Sequence, residues 1–119
     1  MFSVSMPFFY FMFTYNVTFV VAPDKETELI DYLRRQLIPG IFNSESTARN
    51  PELKKVVEIG GEKPDSEHGL SIALSASFPT IETAHSWNDN TLVPALQEFH
   101  LNFGPHALFF ATLLENLAI

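Results

Sequence analysis

Between Leu70 and Phe78 the chain alternates without a break: Leu70, Ile72, Leu74, Ala76 and Phe78 fall on one side, Ser71, Ala73, Ser75 and Ser77 on the other. A period of two belongs to a strand, whose successive side chains point to opposite faces of a sheet. This stretch therefore demands a sheet with one packed face and one face of small side chains. Thr14 to Val21 repeats the pattern, with Thr14, Asn16 and Thr18 alternating with Tyr15, Val17 and Phe19. Two such strands present more apolar surface than they can cover themselves, so helices must pack on them.

Two segments have helical spacing. After Pro23, Asp24 is placed to cap a first helix, Glu26 and Glu28 suit its first turn, and Leu29, Ile30, Leu33 and Leu37 form an apolar stripe expected to stop at Pro39-Gly40. Thr80 is placed to cap a second helix with Glu82 in its first turn. Its stripe runs through Ile81, Ala84, Leu92, Ala95, Leu96, Phe99 and Phe103, and Pro94 is expected to kink or restart it. His85 and Asn88 fall on the same side as Ile81, which puts polar groups beside a buried face.

Residues 41–51 have loop composition, with Asn50-Pro51 as turn punctuation before a strand read as residues 53–60, on which Leu53, Val57 and Ile59 share a side with Lys55. Residues 60–69 form a polar hairpin loop. After Gly104-Pro105 the chain is apolar on both faces of a last strand. The order strand, helix, strand, strand, helix, strand is that of an α+β, ferredoxin-like βαββαβ sandwich: a four-stranded antiparallel sheet with two helices on one face. The opposite face would expose Val20, either Leu108 and Phe110 or their alternates on the last strand, and the small row of the third strand, and a second copy in a two-fold homodimer would cover it, forming a dimeric α+β barrel.

Composition limits the chemistry. With 119 residues, 46% hydrophobic and twelve phenylalanines, the chain suits one folded domain and not a disordered segment. It has no cysteine, which excludes disulfides, thiolate catalysis and cysteine metal sites. The net charge of −7 argues against a nucleic-acid partner, because no excess of cations exists to neutralise phosphates. All seven Lys and Arg lie within residues 1–63, whereas all four histidines, His68, His85, His100 and His106, lie beyond. Residues 1–11 are an apolar, aromatic extension ahead of a domain spanning 12–119; they have no basic region, and Pro7 breaks the helix that a membrane span would need. The reading is a cytoplasmic protein whose start lies at Met1, Met6 or Met12.

Three short patterns carry a family resemblance: Tyr15-Asn16-Val17-Thr18, Leu37-Ile38-Pro39, and His100-x-x-Phe103 followed by Phe110-x-Thr112-Leu113-Leu114-Glu115. They resemble a family of small bacterial domains of unknown function, over residues 12–119, which looks like part of the dimeric α+β barrel superfamily. That superfamily includes antibiotic-biosynthesis-type monooxygenases and haem-degrading monooxygenases. The resemblance to the haem-degrading members implies a catalytic trio of Asn16, Trp87 and His100: His100 as axial ligand, Trp87 pressing on the macrocycle, and Asn16 hydrogen-bonding what the iron binds. No Lys or Arg after residue 63 is available to haem propionates, which leaves Arg34, Arg35 or Arg49.

Beside that trio stand plainer roles: Asn16 as an edge or sheet hydrogen-bonding residue, Trp87 as a helix-to-dimer packing anchor and His100 as a capping or core-flanking histidine near the end of the second helix. A metal set of His100 and His106 with Glu98 or His68 is broken by Gly104-Pro105, so no metal site is assigned. The leading functional reading is a homodimeric module that binds a small apolar or aromatic ligand or another protein surface. Its pocket would lie between the sheet and the second helix, with Phe99, Phe103, Trp87, His85, Asn88 and His100 around it. The alternatives are a monooxygenase-like enzyme, cofactor-independent or haem-using, and a purely structural or regulatory dimer. If Asn16 and His100 lie on opposite faces of the sheet, they cannot share a site.

Overall fold

The computed structural model describes residues 12–43, 45–57 and 69–119. The aromatic extension 1–11, most of the hairpin loop, His68 and Ile59 lie outside the described residues. Among those described, the sheet has four strands in the order β2-β3-β1-β4: β1 Phe13–Val21, β2 Arg49–Lys55, β3 Leu70–Phe78 and β4 Ala107–Glu115. Every neighbouring pair is antiparallel. Helix α1, residues 26–41, links β1 to β2, and helix α2, residues 81–103, links β3 to β4. This is the ferredoxin-like βαββαβ arrangement that the element order implies.

The two alternating stretches are the two central strands. Their apolar sides, Tyr15, Val17, Phe19 and Val21 on β1 and Ile72, Leu74, Ala76 and Phe78 on β3, are buried under the helices. The helices answer with Leu29, Tyr32, Leu33, Leu37 and Ile41 from α1 and Ala84, Trp87, Leu92, Leu96, Phe99 and Phe103 from α2. Ile81, placed in that stripe from its spacing, is instead exposed at the first position of α2, and burial on this helix begins at Ala84.

Both helices run through their prolines, and they do so by the same device. In α1 the turn Leu33–Leu37 is π-helical, and the Ile38 N–H bonds to the Leu33 carbonyl five residues back, immediately before Pro39. In α2 the turn Asn88–Leu92 is π-helical, and the Val93 N–H bonds to the Asn88 carbonyl, immediately before Pro94. A proline in a regular helix lacks a donor and collides with the carbonyl four residues back. One extra residue in the preceding turn makes room for it. Helix α1 therefore continues to Ile41 and does not stop at Pro39-Gly40. Asp24 lies in a 3₁₀ turn, Pro23–Lys25, and makes no side-chain cap, whereas Thr80 forms a reciprocal capping box with Thr83.

Strand β2 begins earlier than its hydropathy suggests and takes in Asn50-Pro51. It is an edge strand, where a missing N–H is tolerated. Its register shifts between Arg49 and Glu52 around Asn50, whose φ is 54°. The strand ends at Lys55, leaving Val57 71% exposed, so that residue does not share the covered side with Leu53. The Lys55 ammonium bonds to the Glu26 carboxylate at 2.9 Å, tying β2 to the start of α1.

Gly69 precedes β3 with φ of +92°, and a Cβ there would lie 2.5 Å from the Val21 carbonyl oxygen. Backbone conformation and close approach both demand glycine at this position. Gly69→Ala is expected to lower stability by about 2 kcal/mol or more in urea unfolding. A change below about 0.5 kcal/mol, the range of ordinary surface substitutions, would contradict this account of the β1–β3 junction.

Candidate functional site

The residues singled out from the sequence occupy three separate surfaces. Trp87 is sealed inside, 5% exposed, among the rings of Tyr15, Phe42 and Phe78 at centroid distances of 5.6, 5.8 and 5.1 Å. Its indole N–H donates to the Ile41 carbonyl at 3.1 Å. That carbonyl ends α1 and has no partner within its own helix, so the tryptophan caps one helix from the other. Phe99 and Phe103 stack at 4.9 Å; Phe99 meets Phe19 at 5.0 Å and Phe103 meets Tyr32 at 5.4 Å. The space expected to be a pocket around Trp87, Phe99 and Phe103 is thus filled by interlocking rings.

Asn88 sits at the border of this core. Its Oδ1 accepts the Tyr15 hydroxyl, and its Nδ2 donates to Asp89 Oδ1 at 3.0 Å. Burial raises the Tyr15 phenol above its ordinary value, and the negative charge of Asp89 adds to the rise, so the phenol keeps its proton and remains the donor in this pair. His85 is exposed on the first part of α2.

Asn16 lies on the other side of the sheet. Its neighbours Tyr15 and Val17 face the helices, so Asn16 faces away from them. There its Nδ2 donates to Thr18 Oγ1 at 3.0 Å, and Thr112 of β4 stands opposite it in the register. Asn16, Trp87 and His100 therefore do not form one site within a protomer, and the haem trio implied by resemblance is not assembled. Trp87 has no open side to offer a macrocycle, because rings and the Ile41 carbonyl enclose it. Among the described residues no three His, Asp or Glu side chains converge as a metal site needs.

His100 belongs to a different feature. It projects from the outer part of α2 into an apolar groove of about 440 Å³ at the free edge of β4, lined by Val93, Leu96, Gln97, His100, Leu101 and Phe109. Val93, Leu96, Gln97, His100 and Leu101 follow at helical spacings of three, four, seven and eight, a second stripe beside the one that enters the core. That spacing was readable from the sequence. The apolar run of β4 hid which of its residues would join the groove, because either of its faces could have turned toward α2.

The sheet face away from the helices carries further apolar surface. Leu108, Phe110 and Leu114 are 63%, 56% and 49% exposed along β4, beside Val20, Thr18 and Thr14 of β1. The Ser/Ala row of β3 continues this face.

The fold and these surfaces define a ferredoxin-like α+β protein of the kind seen in several dimeric and monooxygenase structures. Residues 12–117 match the family described as Domain of unknown function (DUF4286), and the chain belongs to that family. No curated protein matches the sequence. Among solved structures, the chain is similar to an ethyl tert-butyl ether degradation (EthD) family protein from Bacillus halodurans, with a TM-score of 0.63 and 11% identity, over 89% of this chain and 100% of that one. It is also similar to the ActVA-Orf6 monooxygenase of Streptomyces coelicolor in complex with nanaomycin D, with a TM-score of 0.60 and 14% identity, over 92% and 90%. A dimeric ferredoxin-like protein of unknown function from Thermobifida fusca follows at a TM-score of 0.53 and 13% identity, over 87% and 91%. At such identities the likeness shows the fold. Among the described residues no helix is long and apolar enough to cross a membrane.

The separate places of Trp87 and His100 predict opposite responses to substitution. Trp87→Phe loses the bond to the Ile41 carbonyl along with ring volume, and should cost about 1–3 kcal/mol in urea unfolding. His100→Ala should change stability by less than about 0.5 kcal/mol. Equal losses at both positions would contradict the assignment of one to the core and the other to an open groove.

Proposed function

We propose that this protein is a homodimeric binding module, working in the cytoplasm, in which the open sheet face joins two copies and the groove beside His100 receives a small apolar or aromatic ligand. The observation that carries the reading is the contrast between a filled interior and one open apolar groove. Ring packing closes the space around Trp87 and Phe99, while the groove lined by Val93, Leu96, Leu101 and Phe109 stays unfilled. Only Gln97 and His100 bring polar atoms to it, a number suited to orienting a mainly apolar ligand.

The other face supports the dimer. Leu108, Phe110 and Leu114, with Thr112 between the last two, place exposed apolar side chains on a face that the helices do not reach. A two-fold axis through that face would bury the same side chains from both copies. The dimeric Thermobifida fusca protein shares this fold, which supports the assembly. The Streptomyces coelicolor monooxygenase in complex with the ligand nanaomycin D is an instance of the fold holding a ligand, which supports ligand binding here.

A second reading, a structural dimer without a ligand, is favoured by the filled core around Trp87 and Phe99. Titration with 2-naphthol, followed by fluorescence anisotropy, separates the two. Saturable binding that is lost in Leu101→Asp, a change at an exposed position, is the expected result. Absence of binding, or binding that survives the substitution, would leave the structural dimer. Light scattering should give twice the chain mass, falling to the single-chain mass in Phe110→Glu; a monomeric wild-type protein at micromolar concentration would overturn the dimer.

A further inference from the structure

The two π turns border one and the same opening. On the side of the helices away from the sheet, α1 and α2 part to leave a second groove of about 470 Å³. The π turn of α1 contributes Gln36 and Leu37, and the π turn of α2 contributes Thr91. A π turn sacrifices regular helical bonding, and such turns recur at functional positions. Here the two facing walls of one groove are each built around one.

The lining has a definite chemical character. Leu37, Ile41 and Ala95 supply an apolar floor, and Gln36, Thr91, Tyr32 and Glu98 supply polar groups above it. Glu98 is the only charged residue of the lining, and among the described residues it has no salt-bridge partner. Of the two arginines on α1, Arg35 is paired with Asp31 at 2.8 Å and Arg34 borders a different depression, and neither is part of this lining. Beyond residue 63 the sequence holds no Lys or Arg at all, so α2 has no cation of its own to neutralise this carboxylate. The Tyr32 phenol is raised above its ordinary value by burial and by the charge of Glu98, so it remains a neutral hydroxyl next to the carboxylate.

Gly40 shows that the opening is unobstructed. A Cβ at this residue, which lies within the last turn of α1, meets no atom within 4 Å. A helix interior is ordinarily better served by alanine, and here nothing steric prevents it. The Gly40 carbonyl accepts from Asn43 Nδ2 at 3.4 Å, and the space a side chain would take at Gly40 stays open.

We propose that the groove between α1 and α2 is a binding site for a small organic cation, a primary amine carrying an apolar body. The ammonium would meet the Glu98 carboxylate in a charge-assisted hydrogen bond, and Gln36 and Thr91 would accept its remaining protons. The hydrocarbon part would lie over Leu37, Ile41 and Ala95 in the space left open at Gly40. An anion of the same shape could still take hydrogen bonds from Gln36 and Thr91, but it would be repelled by the charge of Glu98 and bind more weakly. The site is separate from the groove at His100 and does not depend on ligand binding there, since the two have no lining residue in common.

Amide NMR titration of the whole protein with benzylamine, and with benzoate as the anion of matching shape, tests the proposal. Benzylamine is expected to shift the amides of Gln36, Gly40, Thr91 and Ala95 saturably, with benzoate at least about tenfold weaker. Glu98→Gln should erase that preference with the fold intact. Gly40→Leu, which fills the opening at a position free of clashes, should block benzylamine while leaving 2-naphthol binding at the His100 groove unchanged. Shifts confined to the His100 groove, equal binding of benzoate, undiminished benzylamine binding in Glu98→Gln, or no saturable shift at all would each overturn the proposal.

Discussion

Phe19 and Phe78, on the two central strands, meet Phe99 and Trp87 of α2, and the remaining structure is arranged around those contacts. Aromatic rings bring much buried area at little conformational cost and lock neighbours into edge-to-face geometry. Truncating such a ring in a sealed core typically costs about 3–5 kcal/mol, a large part of a small domain's whole stability. Trp87 adds a polar link by capping α1 from α2, so the positions of the two helices are set relative to each other as well as to the sheet. Because this interior is full, the openings lie on the outer surfaces: the groove at the β4 edge, the groove between the helices, and the open sheet face.

The unequal treatment of the two sheet edges fits that division. Strand β2 carries Pro51, an irregular register and paired lysines, devices that discourage another chain from adding to the edge. Strand β4 has none of these between Ala107 and Leu114, and Glu115 is its only charge. Covering Leu108, Phe110 and Leu114 with the same face of another copy removes the exposed apolar surface and leaves the outward side of α2, with His100, accessible.

Much of the fold could be read from the order of residues because the central strands are buried on one face only, and that condition writes a period of two into Thr14–Val21 and Leu70–Phe78. The Thr80 cap was legible for a similar reason: capping needs a side-chain oxygen at one fixed place. What escaped was set by tertiary context. The run of α1 through Pro39-Gly40 depends on a π turn that has no side-chain signature, and the inclusion of Asn50-Pro51 in β2 depends on that strand lying at an edge. The site was legible only in part. His100 was identified as polar beside apolar surface, and it does border a groove, but its supposed partners Asn16 and Trp87 are separated from it by the sheet and by the core. A strand residue's face is fixed by register, and a ring's burial by what packs on it; neither follows from the presence of Asn, Trp and His in the right order.

Phe110 provides the most direct test of how the faces are divided, since it is well exposed in one protomer and central to the proposed interface. Hydroxyl-radical footprinting across a dilution series would follow its labelling, with Leu101, 82% exposed and on the opposite side of the structure's layers, as the internal reference. The account predicts that Phe110 is protected at high concentration and becomes labelled on dilution while Leu101 reacts equally throughout. Labelling of Phe110 that is independent of concentration and proportionate to its exposure in the single chain would contradict it.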